Sequence, residues 1–307
     1  MAASKVNKNF VILLVTGIVA LVCGVGGFSA YTIMRSGERN VVKGDEFMAK
    51  GDYFQAHKAY SKAVNRDRSR VDWLKKWQAA LEKWVPDTET EYRQAYQSYY
   101  LGLLRTIAVV QNKDVKSQAD FLKELDGYLR KGSGGQVEAV KNFLRDVEER
   151  IKVLDPADVE TQKLLRYRGL ATLDIASEQP IPDEDRARAL QDLQTACKAA
   201  PTDYEARLGV VNWYMQDAFQ KANSRRDADA QVSREKGLQE LADYLKVYPL
   251  QPESLVLELL LKQQFAAQKA VTIEDKVRIL DELRPLANEV MTKIESVPAQ
   301  ELRPEFL

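Results

Sequence analysis

The 307-residue chain is 45% hydrophobic and 29% charged, an ordinary globular composition, and its length permits two domains. Lys5, Lys8 and Arg35 precede Ser36 with no acid among them, so the 45 basic residues fall to 42 against 45 acidic beyond that point, a net of about −3 and no field for nucleic acid. Two cysteines, Cys23 and Cys197, cannot frame a disulfide scaffold or a Cys-rich zinc module, and one histidine, His57, removes His-based triads and His-rich metal sites.

From Asn9 to Met34 no residue is charged, and Phe10–Tyr31 reads FVILLVTGIVALVCGVGGFSAY. A helix of this length crosses the roughly 30 Å hydrocarbon core with its backbone groups satisfied internally. Residues 1–9 therefore read as a tail and 10–34 as a transmembrane anchor in the lipid bilayer. A cleaved secretory signal fits less well, because a cut after Ala30 puts the bulky Phe28 at −3. A lipoprotein cut before Cys23 would put Val22 at −1, where a small residue is expected. Lys5 and Lys8 at one end nearly balance Arg35, Arg39 and Lys43 at the other, so charge sets the orientation weakly. An N-terminal tail held inside, with the body exported, is the commoner arrangement and the expectation here. Ala20–Gly24 and Gly26–Ala30 are small-xxx-small pairs that would let two anchors pack, although such residues are frequent in membrane helices anyway.

Residues 35–154 open with Gly44-DEFMAKGDYFQAHKAYSKAVNRDR, whose small and aromatic positions are Gly44, Phe47, Gly51, Tyr53, Ala56, Tyr60 and Ala63. Gly44 lets a second helix approach the first, Gly51-Asp52 turns the chain, and Ala56 suits a crossing that a larger side chain would force apart. Tyr60 and Ala63 follow Ala56 at four and seven residues, on one helical face. This register resembles the tetratricopeptide repeat family, whose 34-residue unit is a pair of antiparallel helices. The resemblance implies an all-α fold, an α-solenoid of stacked pairs with a concave, protein-binding surface lined by first helices.

Further along the chain, Trp73, Trp77, Leu81 and Trp84 fall on one stripe ended by Pro86. Tyr92, Tyr96, Tyr99, Tyr100 and Leu103 mark a helix from Thr90 to about Gln111, and Phe121 to Leu129 a shorter one. These aromatics suit a core; the sharper reading makes Trp73, Trp77, Tyr96 and Tyr99 a partner surface. After the break at Arg130-KGSGGQ, Val137–Leu154 resumes the 3.6-residue period.

Residues 155–307 read as divergent repeats of the same kind. Gly169 takes the close-approach position of a first helix, and Ala189, Leu193, Ala196 and Pro201 those of its second helix and terminating proline. Thr202-Asp203 caps the next first helix, Tyr204–Met215, whose partner is expected over Lys236–Pro249. The polar stretch Ala222–Ser233 extends one or both helices or forms a loop. Pro252–Lys269 and Ile273–Ile294 read as two more helices, and the C-terminus from Val297 lacks a polar capping helix.

Phosphate-loop, nucleophile-elbow, zinc-protease and EF-hand patterns are all missing from the sequence. His57 is expected near the helix surface without a ligand role, and Cys197 as a small packing residue. The expectation is a non-enzymatic scaffold with no cofactor or metal, anchored in a membrane and recruiting protein partners. The alternatives are a structural subunit that self-associates and, behind it, a carboxylate-based hydrolase.

Overall fold

The computed structural model describes residues 36–132, 136–247 and 272–296, together with the isolated positions 16 and 259. Outside them lie the N-terminal tail and apolar segment 10–34 (residue 16 apart), the break at 133–135, the helix expected over Pro252–Lys269 (residue 259 apart) and the C-terminus from Val297. Among the described residues every regular element is a helix, and none is long and apolar enough to cross a membrane.

In chain order these are α1 (36–49), α2 (Tyr53–Val64), α3 (Val71–Lys83), α4 (Glu89–Gln94), a π-helical turn (Ala95–Tyr100), α5 (Leu101–Val110) and α6 (Val115–Gly132). There follow α7 (Val137–Ile151), α8 (Val159–Glu178), α9 (Asp183–Ala199), α10 (Tyr204–Asn223), α11 (Asp227–Val247) and α12 (Ile273–Ser296). Side chains that accept the otherwise orphaned N–H groups of a first turn mark several starts: Asp52 takes the Gln55 N–H at 3.1 Å, Thr88 that of Glu91 at 3.2 Å and Asp203 that of Ala206 at 3.1 Å.

Two compact units meet in sequence between Leu125 and Asp126, within α6, whereas the sequence reading divides the chain at 154/155. The position of α7 accounts for the difference. Phe143 packs edge-on against Tyr167 of α8, ring centroids 6.2 Å apart, so α7 belongs with the helices that follow it.

In the first unit, α1 and α2 are joined by a tight turn in which Gly51 has φ +74°, a left-handed conformation that favours glycine. Gly37 faces Arg66 and Gly44 faces Tyr60, so the partner number falls as the chain advances and the pair is antiparallel. A Cβ on Gly44 would stand 2.4 Å from the Tyr60 ring, which explains why this position carries no side chain. Helix α3 runs parallel to α1: Gly37 meets Trp73 and Asp45 meets Lys76, 36 and 31 residues on. Asp45 ties three helices together, accepting from Tyr60 Oη at 2.7 Å and from Lys76 Nζ at 2.6 Å. Partial burial would raise its pKa, but these hydrogen bonds outweigh that and hold it below the usual carboxylate range.

The second unit repeats the arrangement with different side chains. A Cβ on Gly169 of α8 would stand 2.6 Å from Leu193 of α9, and Arg168 grips the buried Asp192 through two hydrogen bonds of 2.6 and 2.7 Å. Helix α10 then lies parallel to α8, pairing Arg166 with Asp203, Leu170 with Gly209 and the Leu173 carbonyl with Gln216. It also lies on α9, where Trp213 donates to the Arg186 carbonyl at 2.7 Å and Leu193 meets Gly209. Helices α10 and α11 are antiparallel, with contacts between Arg207 and Glu240, Tyr214 and Gly237, and Asp217 and Ser233.

Among the described residues, an antiparallel pair followed by a helix parallel to its first member is found in each unit. The polar stretch Ala222–Ser233 is resolved into the end of α10, a turn at Ser224–Arg226 with Arg225 at φ +58°, and the start of α11. Pro201 sits exposed in the turn between α9 and α10.

Candidate interaction surface

The aromatic residues of the first unit divide into a buried set and an open one. Trp73 belongs to the first: it is 3% exposed, its ring lies where a Gly37 Cβ would be, and Arg70 stacks on it at 4.5 Å. This corrects its place in the expected partner surface. Docking α3 against α1 spends that ring on the core, and an aromatic stripe in sequence does not separate a core face from a binding face.

Trp77 and Tyr99 converge on His57, which is buried rather than near the surface. Trp77 Nε1 donates to His57 Nδ1 at 2.8 Å, Tyr99 lies 4.6 Å away between ring centroids, and Trp84 stacks on the imidazole at 5.3 Å and 12°. Phe54 completes the box at 6.2 Å. Burial among rings disfavours the charged imidazolium, assisted by the neighbouring Lys58, and brings the pKa down to about 4. At neutral pH His57 is therefore an uncharged acceptor at Nδ1, a packing group rather than a proton shuttle.

The open set lies beyond Trp84. Here Leu81, Glu82, Trp84 and Pro86 form one wall of a shallow cleft of about 190 Å³, and Tyr92, Ala95, Tyr96 and Tyr100 the other. The helix expected from Thr90 to Gln111 is interrupted at this place by the π-helical turn. In an α-helix residues four apart drift around the axis; the wider π turn offsets that drift and keeps the tyrosines in line. Tyr92 and Tyr96 stack at 6.3 Å and 9°, Tyr96 and Tyr100 at 5.9 Å and 30°. Tyr92 is 58% exposed, an unusual position for a large ring that the core does not use.

Two hydroxyls of this wall hold carboxylates. Tyr96 Oη donates to Glu124 at 2.7 Å and Tyr100 Oη to Glu82 at 3.3 Å. Burial and these acids push the Tyr100 phenol up to about 12, so it remains a donor at neutral pH. Sequence reasoning missed Trp84, Tyr92 and Tyr100 as surface residues and Glu82 and Glu124 altogether. The four-residue spacing of Tyr92, Tyr96 and Tyr100 was the available signal.

The remaining named positions lie at helix contacts. Ala56, Ala63, Leu193 and Ala196 are fully or almost fully buried, Ala189 faces Gly169, and Phe47 and Tyr53 are half-buried. Cys197 is buried, which pushes its thiol up to about 11 and leaves little reactive thiolate. No cluster of His, Cys, Asp and Glu with metal-holding geometry occurs among the described residues.

No protein-family model matches the sequence, and no curated protein matches it. Among solved structures, a tetratricopeptide repeat protein from Parabacteroides merdae is similar at 12% identity and TM-score 0.45, over 88% of this chain and 95% of that one. MamA from Desulfovibrio magneticus is similar at 13% identity and TM-score 0.33, over 67% and 94%. Human IFIT1, solved as a dimer with m7Gppp-AAAA, is similar at 12% identity and TM-score 0.22, over 83% and 72%. The helix pairing of this chain is seen in its own contacts, with Gly44 against Tyr60 and Gly169 against Leu193.

Proposed function

We propose that this protein is a membrane-tethered interaction module that recruits or assembles other proteins, with the aromatic cleft of its first unit as the contact site. The observation that supports this is the contrast between the rings packed around His57 and the tyrosine stack beside Trp84, whose outer member Tyr92 is 58% exposed. Aromatics that are rigid, partly exposed and backed by a packed layer make effective anchors for a partner segment. Residues 10–34 supply the tether and the helical body stands on the outer side of the membrane; both belong to the proposal and rest on the sequence alone.

The test is site-specific photo-crosslinking in cells from position 92 in the full chain, with exposed Val159 as the comparison site. A defined protein adduct from 92 and none from 159 is expected; equal labelling at both would contradict the assignment. Alkaline extraction should leave the chain with the membranes, and removing 10–34 should release it. Protease added to intact cells or spheroplasts should reach the body.

A second reading, a subunit that assembles with copies of itself, draws on α12, where Ile273, Val277 and Leu280 share one exposed face. The mass of the solubilised full chain separates the two, since a monomer disfavours the second.

A further inference from the structure

Building on that reading, we propose that the cleft between the end of α3 and the α4–π-turn wall receives a lysine or arginine side chain from an extended basic segment of the partner. Three features converge on this occupant. The cleft, at about 190 Å³, is smaller than the roughly 300 Å³ at which small-molecule pockets begin, and suits one long side chain. Its lining includes four aromatic side chains, Trp84, Tyr92, Tyr96 and Tyr100, and aromatic rings attract cations through their quadrupoles. Its polar groups are carboxylates: Glu82 lines it directly, and Glu124 lies behind Tyr96.

Neither carboxylate has an ion-pair partner among the described residues. Among the cations of neighbouring elements, Arg93 pairs with Glu89 at 2.6 Å, Lys83 lies over the Tyr53 ring, and Lys116 pairs with Asp120 at 2.7 Å while sensing the Glu82 charge at longer range. Gln78 Nε2, donating to Glu82 Oε1 at 2.8 Å, and the two tyrosine hydroxyls orient the acids and leave them with acceptor capacity. An acidic or neutral segment would meet like charge or waste these acceptors, whereas a basic one supplies both the cation for the rings and the donors for the carboxylates.

The test uses the full chain in a neutral detergent and a short fluorescein-labelled Gly/Lys peptide, followed by fluorescence anisotropy. The acetylated peptide should bind about tenfold more weakly, because it keeps the stem and loses the charge. Glu82→Gln and Glu124→Gln should each weaken the charged peptide several-fold, while Glu138→Gln in the second unit should not. Equal binding of the charged and acetylated peptides would overturn the proposal without recourse to any variant. So would a loss with Glu138→Gln as large as that with Glu82→Gln, which would mark diffuse charge attraction.

The crosslinking experiment separates this inference from the broader reading. A protein adduct from position 92 that survives both Glu→Gln changes, with no peptide discrimination, would sink the basic-segment assignment and leave the interaction module standing. Peptide discrimination with no adduct in cells would support the cleft's cation preference and contradict the module.

Discussion

The two glycine crossings pose one physical problem and fill it differently. At Gly44 the vacated space takes an aromatic ring, Tyr60, whose hydroxyl is bound by Asp45; at Gly169 it takes Leu193, beside the buried Arg168–Asp192 pair. What the two share is the missing side chain, because only that allows two helix backbones to come so close. The filling is free to vary, and so are the polar ties around it. A repeat whose constant feature is a vacancy can diverge far in sequence while its helix pairs keep their geometry.

The largest effect that would sharpen this contrast is expected at the polar tie of the second crossing. Asp192→Ala leaves the Arg168 guanidinium in a largely buried site without its carboxylate, and should cost about 3–5 kcal/mol by urea unfolding. The first crossing, whose Lys76–Asp45 pair is well exposed, should lose far less from Lys76→Met. Equal losses would erase the distinction between them.

The next effect is confined to the first unit and appears on acidification. His57 has a folded pKa of about 4 against 6.5 in the unfolded chain, so between these values the unfolded chain binds more protons. Stability is therefore fully present above about pH 6.5 and declines as the pH falls toward 4, by about 3 kcal/mol. His57→Gln should flatten the decline measured between those limits, and an unchanged pH profile would contradict the buried neutral imidazole.

Gly44→Ala sets two effects against each other. Helix propensity favours alanine by about 1 kcal/mol, but the Cβ would stand 2.4 Å from the Tyr60 ring, and overpacking of about 1–3 kcal/mol should win. Combining it with Tyr60→Leu should recover part of the loss. A stabilised Gly44→Ala chain would show that the crossing is looser than described.

The smallest change is expected at Arg186, which is buried with Nη1 and Nη2 lacking hydrogen-bond partners beside the Trp213 ring. Arg186→Met should leave stability unchanged or raise it by about 1 kcal/mol in thermal melts.

The glycines and the small residues near them could be read from sequence because a close crossing demands one residue type at one spacing. The all-helical class followed from periodicity in the same way. The burial of His57 could not be read, since it depends on rings brought by α3 and the π-helical turn from 20 or more residues away. Trp73 and Trp84 lie on one stripe, yet one packs on Gly37 and the other lines the cleft. The cleft itself depends on a π-helical turn, which inserts a register change that hydrophobic period does not record, and on Glu124, 28 residues beyond Tyr96.

The central structural claim is that successive first helices stack in parallel, and spin-label distances across α8 and α10 test it directly. With Cys23 and Cys197 replaced by serine, labels at Gln162 with Glu205 and at Ser177 with Gln220 should both give short separations. Gln162 with Gln220 should be longer by roughly 20 Å, the rise of the intervening four turns of helix. A short Gln162–Gln220 distance with both other pairs long would mean antiparallel first helices, and would contradict the stacked-pair architecture on which the proposed function rests.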